Sequence, residues 1–398
     1  MDIEHSPSYD LKKFDVDRYG GFLLSNPPMV NTYFGDDFML WTELGNNLPK
    51  LLAAQKVKNS VQRLIPMSST QISSNGAWER AMRLLSFIAH AYIWENWKEK
   101  PETVLPANIA VPWYHIAKSL GRPPVLSYAS YALDNWALID LKGPIELGNI
   151  YLLQNFLGGL DEEWFILVHV EIEAKMATAL CAVGPAQEAV LSNNLDELEK
   201  QLNIVATAQN NIYKTLCRMT ENCDPYIYYN RVRPYITGFD RHPVIYDSVA
   251  EYGGRPQTFH GETGAQSSIV PTLDALLGII HEYDATDANS MRFKLYLESM
   301  LDYMPPRHRA FIRAVAQGPS IRECIYRNRS HQSLIEAFNE CVSQLWRFRK
   351  KHLEYVVLYI QGQKEVSPHN SIEYGTGGTP FMLYLKKHVD ETGNSFIR

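Results

Sequence analysis

Residues 341–360 combine a histidine, an arginine and an apolar stripe in one segment. The segment contains no Pro or Gly, and its apolar residues recur at three- and four-residue steps, which predicts a helix. His352 lies on the apolar stripe, and Arg349 lies one turn earlier within a basic run. An imidazole aimed into an apolar pocket could ligate a haem iron while the guanidinium meets a propionate. The alternative is a core histidine beside a solvated run of charges.

A second histidine gives a rival interpretation. His169 and Glu173 are four residues apart in a stretch with helical periodicity, so they share one helical face. Non-haem iron and zinc sites pair imidazole and carboxylate in this way. No second histidine at matching spacing accompanies the pair. A non-haem metal site is therefore a weaker expectation than haem.

Composition limits the classes of function. The chain has 398 residues, a net charge of −6 and five scattered cysteines without a CxxC pair. The acidic balance is not that of a nucleic-acid-binding protein, and the cysteines are typical of free thiols in a reducing compartment. No run of 18 apolar residues and no apolar leader segment occurs, so neither a membrane span nor a signal peptide is expected. We expect a cytoplasmic protein.

The periodicity predicts a predominantly helical protein with two domains. Gly-Pro and Gly-Gly pairs between residues 142 and 160 favour a boundary there, giving a small helical domain at 1–150 and a larger one at 151–398. Residues 1–35 are expected to form an extended arm. A polar, Gly-rich loop at 361–379 follows the His352 helix and is long enough to act as a lid. Helices are expected at 38–57, 76–97, 113–120, 129–139, 161–182, 185–217, 270–283, 287–304, 306–317, 332–361 and 380–388.

Several short motifs, taken together in this order, resemble the indoleamine 2,3-dioxygenase family. They are NIAVP at 108–112, PPVLSY at 123–128, RVRPYITGF at 231–239, GAQSS at 264–268, MPPRHR at 304–309 and GTGGT at 375–379. The resemblance covers most of the chain, with His352 in the expected place. It implies an all-α, two-domain haem protein that inserts dioxygen into the pyrrole ring of tryptophan.

The resemblance also implies roles on the haem side. His352 is similar to the proximal iron ligand, and Arg349 to a residue that contacts a propionate. Asp274 matches an acidic residue near the proximal imidazole, where a carboxylate would raise the basicity of the ligand. Residues 261–265, which include Thr263, Gly264 and Ala265, resemble a backbone strip that passes close to the haem on the substrate side. Without the resemblance, Asp274 would be an ordinary helix-surface or capping residue.

On the substrate side, the resemblance implies that Arg233 binds the substrate carboxylate, a role that suits the bidentate geometry of a guanidinium. Thr376 matches a lid threonine near the substrate ammonium and a propionate. Tyr228, Tyr128 and Phe165 correspond to aromatic walls suited to a flat indole. The alternatives are a salt bridge for the arginine, a loop hydroxyl for the threonine and core positions for the aromatic residues.

Two positions depart from the animal members of the family. His169 stands where they carry a distal serine, and Tyr131 stands where they carry a small cysteine. Because His169 follows Phe165 by four residues, both should face one pocket. His169 could hydrogen-bond the indole N–H or the bound dioxygen, or it could be a core histidine bonded to a backbone carbonyl. The larger Tyr131 could change substrate choice.

The resemblance implies a haem b dioxygenase that converts L-tryptophan, or a close indole relative, to N-formylkynurenine. The expected partners are the indole substrate, dioxygen and an electron donor, and the chain is expected to be a monomer. Two alternatives stay open. One is an enzyme of the same fold that inserts a single oxygen or rearranges another indole. The other is a non-catalytic protein that binds haem and dioxygen.

Overall fold

A computed structural model describes residues 9–24, 36–64, 75–364, 367–378 and 380–398, and helices dominate it. This confirms the expected all-α class. The helices of the N-terminal part are α1 (Asp36–Asn46), α2 (Leu48–Ala53), α3 (Val57–Val61), α4 (Asn75–Trp94) and α5 (Ala107–Leu120). The next helices are α6 (Leu160–Leu191), α7 (Leu195–Cys217), α8 (Met219–Asn222), α9 (Pro225–Ile227) and α10 (Arg233–Ile236).

The remaining α-helices form the C-terminal part, which ends on a helix. They are α11 (Ile269–Leu277), α12 (Ala288–Met300), α13 (Pro306–Gln317), α14 (Ile321–Arg327), α15 (Gln332–Val356) and α16 (Phe381–Gly393). Short π-helical turns occupy Ala129–Leu133, Tyr228–Val232 and Val357–Gln361. Turns of 3₁₀ helix occupy Leu11–Phe14, Ala250–Tyr252, Gly264–Gln266 and Leu301–Tyr303.

Two small two-stranded sheets lie between the helices of the described ranges. Strand β1 (Val104–Leu105) pairs in parallel with β4 (Ile245–Tyr246), and β2 (Trp136–Leu138) pairs antiparallel with β3 (Ile150–Leu152). The first pairing joins segments 141 residues apart, since Val104 lies opposite Ile245 and Leu105 opposite Tyr246.

Helices α6, α7 and α15 form the frame of the C-terminal part. Helix α6 is buried around most of its circumference, which is expected for an element that packs on several sides. Helix α7 packs against both α6 and α15. The buried apolar residues fall into two clusters, one mainly from α1–α5 and the segments around them, the other mainly from α6, α7, α11, α14 and α15. The domain boundary near residue 150 stays a prediction.

Some helix predictions were wrong in their limits. The expected helix at 129–139 is a π-helical turn followed by β2, because Trp136–Leu138 finds a strand partner that local periodicity cannot show. Helix α6 continues through Pro185, where a break was expected. Helix α11 ends at Leu277 because Gly278 adopts a left-handed conformation (φ 60°) that caps it.

The predicted N-terminal arm is partly folded. Its described part contains the Leu11–Phe14 turn, and Val16 and Phe22 are buried in the second apolar cluster. The Tyr9 hydroxyl donates to the Ala314 carbonyl at 2.9 Å and lies 2.6 Å from Gln187 Oε1. Tyr9, Val16 and Phe22 therefore pack on the C-terminal part, whereas Leu23 and Leu24 belong to the first apolar cluster. The rest of the predicted arm lies outside the described residues.

Candidate active site

One cavity collects segments from most of the C-terminal part. Its empty space measures about 900 Å³, including the part that opens to solvent. The lining residues are Phe165, His169, Leu216, Met219, Tyr228, Glu262, Thr263, Gly264, Tyr296, His352, Tyr355, Val356, Tyr359, Ile360, Gly375, Thr376, Gly377, Phe381, Tyr384 and Leu385.

Two imidazoles line this cavity from different helices, His352 on α15 and His169 on α6. No hydrogen bond to the His352 ring is recorded from any residue that the structure describes. Burial and, secondarily, the nearby His169 lower the pKa of His352 to about 4. The His352 ring is therefore neutral at neutral pH, with nitrogen lone-pair density available to a ligand.

His169 has one ring nitrogen engaged. Its Nδ1 lies 2.7 Å from the carbonyl oxygen of Phe165, and because a carbonyl can only accept, Nδ1 carries the proton. Burial lowers the pKa of His169, so the ring stays neutral. Its Nε2 is then an acceptor, and within the described ranges it has no partner. His169 therefore combines the two alternatives expected from the sequence: it bonds a backbone carbonyl, and it also lines the cavity.

Aromatic side chains form the wall beside His169. The ring centroid of Phe165 lies 4.8 Å from that of His169 and 4.6 Å from that of Tyr228. Tyr359, from the π-helical turn after α15, contacts Tyr228 edge to face at 5.6 Å and donates its hydroxyl to the Cys223 carbonyl at 2.6 Å. Such a wall suits a flat apolar ring system.

The strip at residues 261–264 is fixed by close backbone packing. A Cβ atom on Gly261 would lie 2.3 Å from the Gly238 nitrogen and 2.6 Å from the Thr376 carbonyl oxygen, so only glycine fits there. The Thr376 hydroxyl donates to the carbonyl of Glu262. Gly264, by contrast, has no atom within 4 Å of the position of a Cβ atom. The strip thus packs on the loop at Gly261 and leaves space at Gly264.

Three residues predicted for the substrate pocket lie outside the cavity lining. Tyr128 is buried behind His169, at 6.0 Å between ring centroids, and its hydroxyl donates to Glu173 at 2.9 Å. Tyr131 is buried between Phe87 and Phe165. Ala265 packs on the first apolar cluster instead of lining the space. Their predicted contacts with the substrate stay predictions.

Arg233 does not line the cavity either. It is 2% exposed, and its guanidinium donates to the Asn370 side chain and the Tyr374 carbonyl, both in the predicted lid loop. Its carbon Cζ lies 5.4 Å from the centroid of the Tyr229 ring. Arg233 therefore anchors the loop in this structure, and its contact with a substrate carboxylate stays a prediction.

Arg349 and Asp274 pair with each other instead of facing the cavity. Arg349 Nη2 lies 2.6 Å from Asp274 Oδ2, and Nη1 donates to the Thr392 hydroxyl. Burial alone would raise the pKa of Asp274, but Arg349 and His281 outweigh burial and lower it. The carboxylate is thus ionised, and its expected bond to the proximal imidazole, like the propionate contact of Arg349, stays a prediction.

A group of possible metal ligands lies next to this pair. His281 Nε2 is 3.1 Å from Asp274 Oδ2, and His281 Nδ1 is 2.6 Å from Glu391 Oε2. Within the part of the chain that the structure describes, the residues that could together hold a metal are His281, His388 and Glu391. The rival pair His169 and Glu173 gains no third ligand there. Glu173 instead accepts from Tyr128 and from Ser267, the latter at 2.7 Å.

Sequence reasoning missed several lining residues. Tyr296, Phe381 and Tyr384 reach the cavity from α12 and α16, and no local pattern distinguishes them from ordinary core positions. Glu262 was overlooked although it lies inside the predicted glycine-rich strip. A carboxylate between glycines in a segment expected to approach a ligand was the available signal.

The comparisons with known proteins agree with this geometry. A family model described as "Indoleamine 2,3-dioxygenase" matches residues 10–395, and the chain belongs to that family of haem-dependent oxidoreductases. It is 32% identical to indoleamine 2,3-dioxygenase 1 of Rattus norvegicus over 97% of this chain and 96% of the relative. It is 33% identical to indoleamine 2,3-dioxygenase of Saccharomyces cerevisiae over 96% and 92%. A protein named myoglobin from Haliotis madaka is 27% identical over 96% and 97%.

The cavity suits the haem group of this family. An apolar and aromatic lining, an imidazole without a hydrogen-bond partner on one wall, and an open approach at Gly264 fit an iron macrocycle held by a histidine. His352 has the chemistry of that ligand. No described helix is long and apolar enough to cross a membrane.

Proposed function

We propose that the protein uses haem b and dioxygen to convert L-tryptophan, or a closely related indole, to N-formylkynurenine. The observation that carries the proposal is the neutral His352 imidazole, which has no recorded partner among the described residues and faces an aromatic cavity. Membership of the dioxygenase family supports the reaction class. The five free cysteines support a cytoplasmic location, and we also propose that the enzyme is a monomer that needs an external electron donor.

Bound haem would supply the iron at which dioxygen is activated. His352 would hold it from α15, and its lowered pKa means that no proton has to leave before ligation. Phe165 and Tyr228 would stack on the indole and exclude water from it. His169 Nε2 would accept the indole N–H, because its Nδ1 proton is held by the Phe165 carbonyl. These groups would position the substrate rather than act as strong acids or bases.

The test is a visible spectrum of the haem-loaded protein under dithionite, followed by tryptophan and air. A Soret band with five-coordinate ferrous iron, and a product heavier by two oxygen atoms, are expected. A product heavier by one oxygen atom would favour monooxygenation of an indole. Absence of a Soret band would contradict the haem assignment.

A second candidate function is the binding of dioxygen without catalysis. The similarity to the protein named myoglobin favours this second function, because that relative aligns with this chain over nearly the whole length of both. A stable oxygen adduct and no loss of tryptophan, with dithionite, ascorbate or another reductant, would identify this case. The amino-acid roles proposed for Arg233 and Thr376 argue against it, since an oxygen carrier needs neither.

The role of Arg233 can be tested apart from its loop contacts. In Arg233→Ala, the KM for L-tryptophan should rise roughly 10- to 100-fold, the value of a charged hydrogen bond, while that for indole itself should not. Asn370→Ala is the matched control, because it removes the loop contact and keeps the guanidinium. An equal effect of both variants on both substrates would assign Arg233 to the loop alone.

A further inference from the structure

Glu262 is a buried carboxyl on the cavity wall, and neither the proposed haem binding nor the proposed stacking of the indole involves it. Its side chain is 4% exposed, and the residue lines the cavity beside Thr263 and Gly264. Its backbone is held at both ends, since its N–H donates to the Ile236 carbonyl at 3.1 Å and its carbonyl accepts from the Thr376 hydroxyl. The side chain is therefore presented from a fixed backbone.

The carboxyl oxygens of Glu262 have no recorded hydrogen bond or ion pair with any residue of the described ranges. Two other buried carboxyls, both on α6, differ in this respect. Glu162 accepts three backbone N–H groups at 2.6, 2.9 and 2.9 Å, and Glu173 accepts two hydroxyls. Burial alone raises the pKa of Glu262 to about 8. An unpartnered buried carboxyl costs free energy that a ligand donating N–H groups would recover.

We propose that Glu262 binds the ammonium group of an amine-bearing indole, and so selects amino-acid or arylalkylamine substrates over indole carboxylic acids. This inference rests on the proposed function, whose substrate it specifies. An ammonium is the matching partner because it offers three hydrogen-bond donors and a positive charge that would balance the buried carboxylate. A second carboxylate, such as that of an indole acid, would be repelled.

The charge distribution around Tyr228 fits a zwitterion. Burial is the main cause that raises the pKa of the Tyr228 phenol, Glu262 raises it further, and Arg233 lowers it. Tyr228 is thus close to both a carboxyl and a guanidinium. No hydrogen bond or ion pair joins Glu262 to Arg233, whose guanidinium contacts include Asn370, Tyr374 and the Tyr229 ring. An amino acid stacked on Tyr228 could meet opposite charges at its two ends.

The test uses haem-loaded protein and measures Kd from the shift of the Soret band on titration at pH 8. The probes are L-tryptophan, tryptamine and indole-3-propionate. Glu262→Gln keeps the shape and removes the charge, and Glu251→Gln on the exposed Ala250–Tyr252 turn is the matched control. We expect Glu262→Gln to weaken tryptophan and tryptamine roughly 10- to 100-fold, as for a charged hydrogen bond. The Kd for indole-3-propionate should stay the same or fall.

Unchanged Kd for tryptamine in Glu262→Gln would overturn the inference. If that variant fails to load haem, Glu262→Asp decides the question: it keeps the charge and should prefer tryptamine over indole-3-propionate as the wild type does. Loss of that preference would contradict the inference. Failure of the proposed function would give a separate result: the wild type would bind these ligands but form no N-formylkynurenine.

Discussion

Two groups of ionisable residues flank the His352 end of α15, and they differ in how their polar atoms are satisfied. In the cavity, His352 and Glu262 have no recorded partners among the described residues. In the cluster around Asp274, the side chains of Asp274, Arg349, His281 and Glu391 each have at least one polar partner, although the Asp274 Oδ1 atom has none among the described residues. Arg349 and His281 both contact the Asp274 carboxylate, at 2.6 and 3.1 Å, and His281 also meets Glu391.

The pKa directions follow from this difference. Burial without partners lowers the pKa of His352 and raises that of Glu262, so both groups are neutral at pH 7. In the cluster, burial is opposed by opposite charges, so the pKa of Asp274 is lowered and that of His281 is raised. Mutual pairing of the charged groups indicates a structural role for the cluster, while buried groups without partners on a cavity wall indicate a place for a ligand.

The largest expected contrast is in haem binding. His352→Ala should abolish the wild-type five-coordinate ferrous spectrum, because the other described imidazole on the cavity wall, His169, lies on α6 and is held through Nδ1 by the Phe165 carbonyl. His281→Ala, in the cluster, should keep haem binding and lose stability. Haem content and the Soret band of both purified variants would decide. Normal haem content in His352→Ala would contradict the assignment of the axial ligand.

The two carboxyls should respond in opposite ways when their charge is removed. Asp274→Asn leaves Arg349 buried without its anion and should lower the free energy of unfolding by about 3 kcal/mol. Glu262→Gln should raise it in the haem-free protein. The pKa of Glu262 is raised from 4.5 to about 8. The free energy of unfolding of the wild type therefore falls as pH rises through that interval, and the loss reaches about 3 kcal/mol at pH 7.

Urea denaturation of haem-free protein at pH 5 and pH 7 would measure both effects. The gain from Glu262→Gln should grow between these two pH values, since the tyrosines near Glu262 titrate far above this range. A gain that is the same at pH 5 and pH 7 would mean that Glu262 has a partner in solution.

The sequence allowed parts of this arrangement to be predicted, and the reasons are local. Helical spacing placed Phe165 and His169 on one face, and both line the cavity. The apolar stripe that contains His352 likewise indicated that this face of α15 lines the cavity. These predictions depend only on residues within two turns of one another.

What could not be predicted depends on contacts between distant segments. Arg233 meets residues about 140 positions later in the chain, and the Asp274 cluster joins α11, α15 and α16. Whether Arg349 meets a propionate or Asp274 is decided by tertiary packing, which periodicity does not describe. The absence of a partner for the Glu262 carboxyl likewise depends on the tertiary packing of the segments around it.

The smallest expected effect is a pH dependence that distinguishes the histidines of the two regions. The pKa of His281 is raised above 6.5, because its bonds to Asp274 and Glu391 outweigh burial. Its stabilisation should therefore be complete below pH 6.5 and be lost as pH rises through the folded-state pKa. His352 behaves in the opposite way, since haem-free protein should lose stability as pH falls from 6.5 toward 4.

Comparison of His281→Gln and His352→Gln with the wild type, by urea denaturation of haem-free protein at pH 5, 6.5 and 8.5, separates the two. The stability deficit of His281→Gln should shrink between pH 6.5 and 8.5, because the wild type loses the charged imidazole there. His352→Gln should gain on the wild type only below pH 6.5. If both variants changed in the same direction over the same interval, the two regions would not differ as their hydrogen bonds indicate.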